Sequence, residues 1–211
     1  MMSELWQMQP AEVFSRSKVV PVMVINQLEQ AVPLAKALVA GGIGILEVTL
    51  RTDCAVEAIR AIRQAVPEAL VGAGTVLNTA QLEQVIEAGA QFAISPGTTP
   101  TLLQAAKARS IPLIPGVASV SDMMVALEHG YDHVKFFPAE SNGGVQALKS
   151  MSGPMAGLTF CPTGGISLSN YQDYLALSNV KCVGGSWVAP TDAVEQGDWA
   201  RITELSQQAV A

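Results

Sequence analysis

The chain is poor in histidine, cysteine and charged residues, and each shortage argues against a class of function. Its 211 residues include only two histidines and three cysteines. His129 and His133 lack the spacing of metal ligands, and neither lies at the C-terminal end of a predicted strand, so neither a metal centre nor a Ser-His-Asp triad is expected. The cysteines, Cys54, Cys161 and Cys182, are an odd number without metal-type spacing. We therefore expect reduced, mostly buried thiols and no disulfide.

Charge and hydropathy narrow the possibilities further. A net charge of -6 argues against binding to nucleic acid, because such binding needs a basic surface. No apolar run approaches the roughly 18 residues of a membrane span. The amino terminus has an early acidic residue and no apolar signal core, which favours a cytoplasmic protein. Since 49% of the residues are hydrophobic and only 14% are charged, we expect an oligomer that buries part of this apolar surface.

Short apolar runs recur at nearly even intervals along the chain. Eight of them begin near Val19, Ile45, Leu70, Phe92, Pro112, His133, Thr159 and Val180. The intervals leave room for one helix between successive strands, and strands that alternate with helices form parallel sheets. Eight such units are the number that closes a (β/α)8 barrel. The sequence thus predicts an α/β fold with one (β/α)8 TIM barrel over residues 1–211.

Helical patterns fill the intervals, and glycines follow several of them. An additional N-terminal helix is predicted over residues 3–17, ahead of a first strand over 19–25. The other predicted helices span residues 28–40, 54–64, 79–88, 100–107, 120–128, 144–151, 170–177 and 198–210. No linker or low-complexity segment divides the chain, which favours a single domain.

Lys135 lies in the sixth apolar run, where the strand should end. In (β/α)8 barrels the reactive residues occupy the C-terminal ends of strands. Phe136, Phe137 and Pro138 follow directly. Such apolar surroundings disfavour the charged ammonium and favour a free, nucleophilic amine. The alternative is a structural lysine that is neutralised by a carboxylate partner.

Glu47 lies in the second strand, together with other polar residues. Because side chains alternate along a strand, Glu47, Thr49 and Arg51 share one face, while the intervening apolar residues face the helices. Polar groups inside a barrel are costly unless they are paired or functional. Glu47 and Arg51 are therefore functional groups or an internal ion pair, and the two alternatives are compatible in the empty protein. The planar guanidinium of Arg51 would suit a substrate carboxylate.

Glycine-rich turns follow the strands and indicate a cavity at one rim. They occupy residues 72–75, 95–97, 115–119, 162–165 and 184–186. The last two follow strands seven and eight, where barrels commonly bind phosphate. Neither contains lysine or arginine, so backbone N–H groups and hydroxyls would hold the anion. Thr75 is either a hydroxyl donor to the ligand or a helix N-cap.

With these residues in view, the chain resembles the 2-keto-3-deoxy-6-phosphogluconate (KDPG) aldolases, the class I aldolases of the Entner-Doudoroff pathway that also cleave 4-hydroxy-2-oxoglutarate. The resemblance covers almost the whole chain, and its motifs occur in the same order. They occupy residues 46–52, 71–76, 92–97, 112–116, 134–140, 160–166 and 184–186.

This resemblance implies roles for individual residues. Lys135 would form a Schiff base with the keto carbon, and Glu47 would move protons between the steps. The other implied contacts are Arg51 and Thr75 at the pyruvyl carboxylate, Pro96 and Phe137 on the pocket wall, and Gly164, Gly165, Gly185 and Ser186 around the phosphate. It further implies a homotrimer that takes a small keto-acid phosphate, without a metal or an organic cofactor.

Two other functions remain open from the sequence. In one, Glu47 acts alone as the base of a sugar-phosphate isomerase, and Lys135 is only its electrostatic partner. In the other, the protein binds sugar phosphates or serves in assembly without turnover. Loss of the lysine or the glutamate would be expected in such a binding protein, and both residues are present.

Overall fold

The computed structural model describes residues 3–211 as parallel strands that alternate with helices. Within these residues the strands are short, and most are entirely buried. They are β1 (Val19–Met23), β2 (Ile45–Thr49), β3 (Leu70–Gly74), β4 (Ala93–Ile94), β5 (Leu113–Ile114), β6 (Gly116–Val117), β7 (His133–Phe136), β8 (Thr159–Pro162) and β9 (Val183–Gly185).

The helices follow the strands along the chain, and one precedes them. They are α1 (Pro10–Ser15), α2 (Ala31–Ala40), α3 (Ala55–Ala65), α4 (Thr79–Glu87), α5 (Pro100–Lys107), α6 (Val120–Glu128), α7 (Gly144–Met151), α8 (Tyr171–Leu175), α9 (Thr191–Gln196) and α10 (Trp199–Val210). Single turns of 3-10 helix cover Leu28–Gln30 and Glu140–Asn142.

Every strand pairing is parallel, as the alternation of strands and helices predicts. Six strands form a sheet in the order β5-β4-β3-β2-β1-β9, and three form another in the order β6-β7-β8. Only Pro115 separates β5 from β6, so the same segment pairs with β4 on one side and with β7 on the other. Single bridges join Phe160 to Val180 and Thr163 to Gly184. The prediction of an α/β fold built on parallel strands is confirmed.

The strands are mostly apolar because both of their faces are buried. All five residues of β1, of β2 and of β3 are buried, as is usual for parallel sheets. The buried polar residues include Glu47, Thr49 and Lys135, which the sequence singles out or places on the same face. Among residues 3–211, every helix is too short or too polar to span a lipid bilayer.

The predicted helices differ most from the observed helices near the two ends of the chain. The predicted helix over residues 3–17 is wrong in length, because α1 begins only at Pro10, whose missing N–H suits the first helical position. Residues 3–9 are not helical, and the Trp6 indole donates a hydrogen bond to the Ala106 carbonyl at 3.0 Å. Helix α9 was not predicted from the sequence. It ends after six residues at Gly197, whose φ is 66°.

Close packing between α2 and α10 gives a test of the fold. A Cβ atom added at Gly41 would overlap Ser206 and the Thr203 carbonyl. We expect Gly41→Ala to lower the free energy of unfolding by about 1–3 kcal/mol, because the two helices must move apart. Urea denaturation measures this change. Gly153→Ala is the control, since nothing lies within 4 Å of the added atom. Equal stability of the two variants would contradict the packing described.

Candidate active site

Lys135 and Glu47 meet between the strands, although they lie 88 residues apart in the chain. Lys135 Nζ on β7 donates a hydrogen bond to Glu47 Oε1 on β2 at 3.1 Å. Their side chains are only 5% and 1% exposed. A buried ion pair must offset a large loss of hydration and adds little stability compared with apolar packing. Lys135 thus has the carboxylate partner that the structural alternative expects, and the small gain in stability from such a pair favours a functional role.

The Glu47 carboxylate lies against the backbone of Gly74 on β3. A Cβ atom at position 74 would overlap this carboxylate. In the parallel register, Gly72 is opposite Glu47 and Gly74 is opposite Thr49. Both glycines therefore lie beside β2, the strand that carries Glu47. These glycines explain why a carboxylate fits between strands that are otherwise tightly packed.

Besides Glu47, the groups described around Lys135 are apolar or weakly polar. Nζ lies 5.3 Å from the ring centroid of Phe137, which is within the range of a cation–π contact. Cys161 is opposite Lys135 on β8. Burial raises the pKa of the neighbouring Cys182 thiol, and a hydrogen bond with Cys161 and the charge of Glu47 raise it further. The Cys182 thiol thus stays protonated and adds no second negative charge near Lys135.

A pocket of about 240 Å³ gathers many of the predicted site residues. Those on its wall are Arg51, Phe137, Gly164, Gly165, Gly185 and Ser186. Phe137 also contacts Lys135, so the pocket lies next to the buried ion pair. The structure brings an amine, a carboxylate, a guanidinium and two glycine turns into one region.

Other residues on this wall were not named individually as site residues, although Thr163 and Gly184 belong to the predicted glycine turns. They are Val22, Val24, Thr163, Ile166 and Gly184. The valines and the isoleucine look like ordinary core residues in the sequence. Thr163 offered a signal that was not used, since its hydroxyl lies inside a predicted glycine turn, directly before Gly164. Within residues 3–211, no group of three or more histidine, cysteine or acidic residues is placed to hold a metal ion.

Arg51 lies just beyond β2 and is exposed at the pocket. None of the ion pairs within residues 3–211 includes it. The alternative of an ion pair between Glu47 and Arg51 is therefore wrong, because Glu47 is paired with Lys135 instead. The guanidinium is left at the pocket, where it can meet a carboxylate.

Thr75 and Pro96 are half-buried and do not line this pocket. The alternative that Thr75 caps a helix is wrong: Asn78 caps α4, and its side chain accepts a hydrogen bond from the Gln81 N–H. Thr75 has a φ of 59°, which is uncommon for a residue with a side chain and is often found at functional sites. Pro96 packs on Gly116, where a Cβ atom would overlap the proline carbonyl.

The turn after β8 requires glycine at two successive positions. Gly164 and Gly165 have φ values of 100° and 78°, which other residues rarely adopt. A side chain at Gly164 would also press on Pro138. A turn of bare backbone lets a ligand approach its N–H groups closely, as anions do in many phosphate sites.

Comparison with known proteins identifies the family. A family model for KDPG and KHG aldolases matches residues 11–205. The chain belongs to this family. The 2-dehydro-3-deoxy-phosphogluconate aldolase of Dickeya dadantii is 60% identical over 98% of this chain and 97% of its own. The KHG/KDPG aldolase of Escherichia coli K12 is also 60% identical, over 97% of this chain and 96% of its own.

Solved structures of family members superpose on 98% or more of the chain. The KDPG aldolase of Legionella pneumophila, with pyruvate captured at low pH as a covalent carbinolamine intermediate, is 52% identical. It aligns with a TM-score of 0.96 over 98% of this chain and 100% of its own. The Zymomonas mobilis enzyme with 3-phosphoglycerate is 47% identical, with a TM-score of 0.92 over 100% and 97% of the two chains.

The space above Gly74 gives a test of the site that alters no proposed catalytic residue. We expect Gly74→Ala to displace the Glu47 carboxylate from Lys135 and to lower the kcat of aldol cleavage by about 100-fold or more. Steady-state kinetics of the purified protein measure the loss. Gly157→Ala is the control, because its added atom would make only an ordinary contact at 3.8 Å. Unchanged kcat in Gly74→Ala would contradict the role of the contact.

Proposed function

We propose that this family member is a class I lyase that cleaves KDPG to pyruvate and glyceraldehyde 3-phosphate through a Schiff base on Lys135. The observation that carries the proposal is the contact between Lys135 Nζ and Glu47 Oε1, buried next to the pocket. The names of the relatives support the substrate. The dual name of the Escherichia coli relative supports a second substrate, 4-hydroxy-2-oxoglutarate, which would give pyruvate and glyoxylate.

The reaction begins with a proton transfer within the ion pair. Glu47 takes a proton from Lys135, and the neutral amine attacks the keto carbon of the substrate to form a carbinolamine. Glu47 then returns a proton to the departing hydroxyl, which leaves as water and gives a protonated imine. The carbinolamine captured in the Legionella relative supports this sequence of steps.

Glu47 serves again when the carbon–carbon bond breaks. As a carboxylate it takes the proton of the C4 hydroxyl, the C3–C4 electrons flow into the imine, and the aldehyde leaves. Glu47 then protonates the resulting enamine at carbon, and water releases pyruvate and the free amine. One carboxylate can perform all these transfers because each step returns the proton that the next one needs.

The pocket wall supports the proposed placement of the substrate. The Arg51 guanidinium on this wall would bind the pyruvyl carboxylate as a planar fork. Thr75, which lies off the wall just after β3, would be a further donor. Gly164, Gly165, Gly185 and Ser186 would receive the phosphate through N–H groups and a hydroxyl. Phe137 on the wall, and Pro96 off it, would cover the apolar part of the substrate.

We also propose that residues 1–211 form one closed (β/α)8 barrel with α1 as an additional N-terminal helix. Residues 1–2 lie outside the described residues. Pairing on both sides of β1, and of the segment containing β5 and β6, supports closure, as do the bridges between the β8 region and the β9 region.

A homotrimer in the cytoplasm completes the proposal. Val120, Met124 and Leu127 are exposed and recur on one face of α6, at the spacing of one and two helical turns. Such an apolar stripe supports a contact between subunits.

Imine formation is the decisive chemical test. Incubation with pyruvate and borohydride should give a covalent mass adduct on the wild-type protein and none on Lys135→Met, because only a primary amine at the site can form the imine. Lys181→Met is the control, since Lys181 is exposed just before β9 and should leave labelling intact. Persistent labelling of Lys135→Met would refute the assignment, and an unlabelled wild-type protein would favour the isomerase alternative.

The proposed proton transfers by Glu47 are tested with a variant whose side chain has nearly the same size and shape as glutamate. Glu47→Gln should retain a KM close to that of the wild type while kcat falls about 10²- to 10⁴-fold, because the amide cannot transfer protons. Coupled assay of pyruvate release measures both constants. Glu57→Gln, on the exposed surface of α3, is the matched control. Near-normal turnover in Glu47→Gln would count against its role.

A further inference from the structure

The segment that follows Lys135 is bonded directly to the glycine turn of the pocket. The Ala139 N–H donates to the Thr163 carbonyl at 2.8 Å, and the Glu140 N–H donates to the Gly164 carbonyl at 3.1 Å. The position of the turn is thus tied to the strand that carries the reactive lysine.

The Glu140 side chain supports this turn from the side away from the pocket. A Cβ atom at Gly165 would overlap Glu140 Cβ, although Glu140 does not line the pocket. Its carboxylate accepts a hydrogen bond from the Tyr174 hydroxyl on α8. Tyr174 is fully buried, whereas Glu140 is exposed, so the tyrosine fixes the carboxylate in one orientation.

The raised pKa of Tyr174 helps to maintain its hydrogen bond to Glu140. Burial raises the pKa of Tyr174 well above its ordinary value, and the hydrogen bond and charge of Glu140 raise it further. The phenol therefore keeps the proton that it donates. On another side of the turn, the Asn170 side chain donates to the Gly165 carbonyl at 3.0 Å and accepts from the Ser167 N–H at 2.8 Å.

We infer that Tyr174 and Glu140 are positioning residues that set the phosphate end of the substrate pocket. Neither would touch the substrate, and the inference rests on the proposed function. Together they hold Gly164 and Gly165 in the left-handed conformation that presents their N–H groups to the phosphate. Their loss should weaken binding of a phosphorylated keto acid and spare a shorter substrate that has no phosphate.

Tyr174→Phe tests the inference because it removes only the hydroxyl. The KM for KDPG should rise about tenfold, the effect of losing one hydrogen bond to a charged group, while kcat stays unchanged. The inhibition constant of inorganic phosphate should rise in parallel. For 4-hydroxy-2-oxoglutarate, both kcat and KM should remain as in the wild type.

Three further variants separate positioning from a general loss of structure. Tyr131→Phe is the matched control, because this tyrosine is also buried and donates one hydrogen bond, to the Leu103 carbonyl at 2.7 Å. It should leave KM for both substrates unchanged. Glu140→Ala should reproduce the effect of Tyr174→Phe, while Glu140→Gln, which can still accept the bond, should restore KM. Since Glu140 is exposed, its variants keep the test valid even if Tyr174→Phe fails to fold.

The outcomes separate the two proposals. An equal rise in KM for both substrates, or no rise for KDPG, would overturn the positioning role and leave the proposed aldolase function intact. If the wild-type protein cleaved neither substrate, the proposed function would fail before any variant was compared.

Discussion

The contact between Lys135 and Glu47 is the constraint on which the rest of the site depends. Two oppositely charged groups occupy a space between strands that would otherwise hold apolar side chains. Gly74 leaves room for the carboxylate because it has no side chain. Burial raises the pKa of the Cys182 thiol, which therefore stays protonated and adds no further negative charge. Arg51 remains outside this pair and exposed at the pocket, so the one guanidinium on the wall is not consumed in neutralising Glu47.

Under the proposed function, the pocket wall would recognise the two charged groups of the substrate in different ways. The Arg51 guanidinium would meet the carboxylate. Bare backbone and one serine hydroxyl would meet the phosphate, since the wall contains no lysine and no arginine other than Arg51. A chain with a net charge of -6 can bind an anion in this way because backbone N–H groups are local donors that do not depend on the overall charge.

Much of this arrangement follows from sequence periodicity. Even spacing of apolar runs locates the strands, and alternation along β2 identifies Glu47 as a residue that faces away from the helices. Periodicity could not reveal that Glu47 pairs with Lys135 rather than Arg51, because that choice depends on the geometry between strands 88 residues apart in the chain. Nor could it find Thr163 or the bond between Tyr174 and Glu140, since single polar residues in turns and short helices carry no periodic signal. The start of α1 at Pro10 was also missed, because residues 3–9 lie in contacts with distant parts of the chain.

The glycine turn has an evolutionary consequence. Gly164 and Gly165 can hardly be replaced, because their φ angles and the groups behind them exclude side chains. Variation among descendants of this protein would therefore concentrate on Val22, Val24 and Ile166, whose side chains line the same wall without contributing charge. New acceptor aldehydes would be acquired by reshaping those three, while the backbone proposed to bind the phosphate passed unaltered from ancestor to descendant.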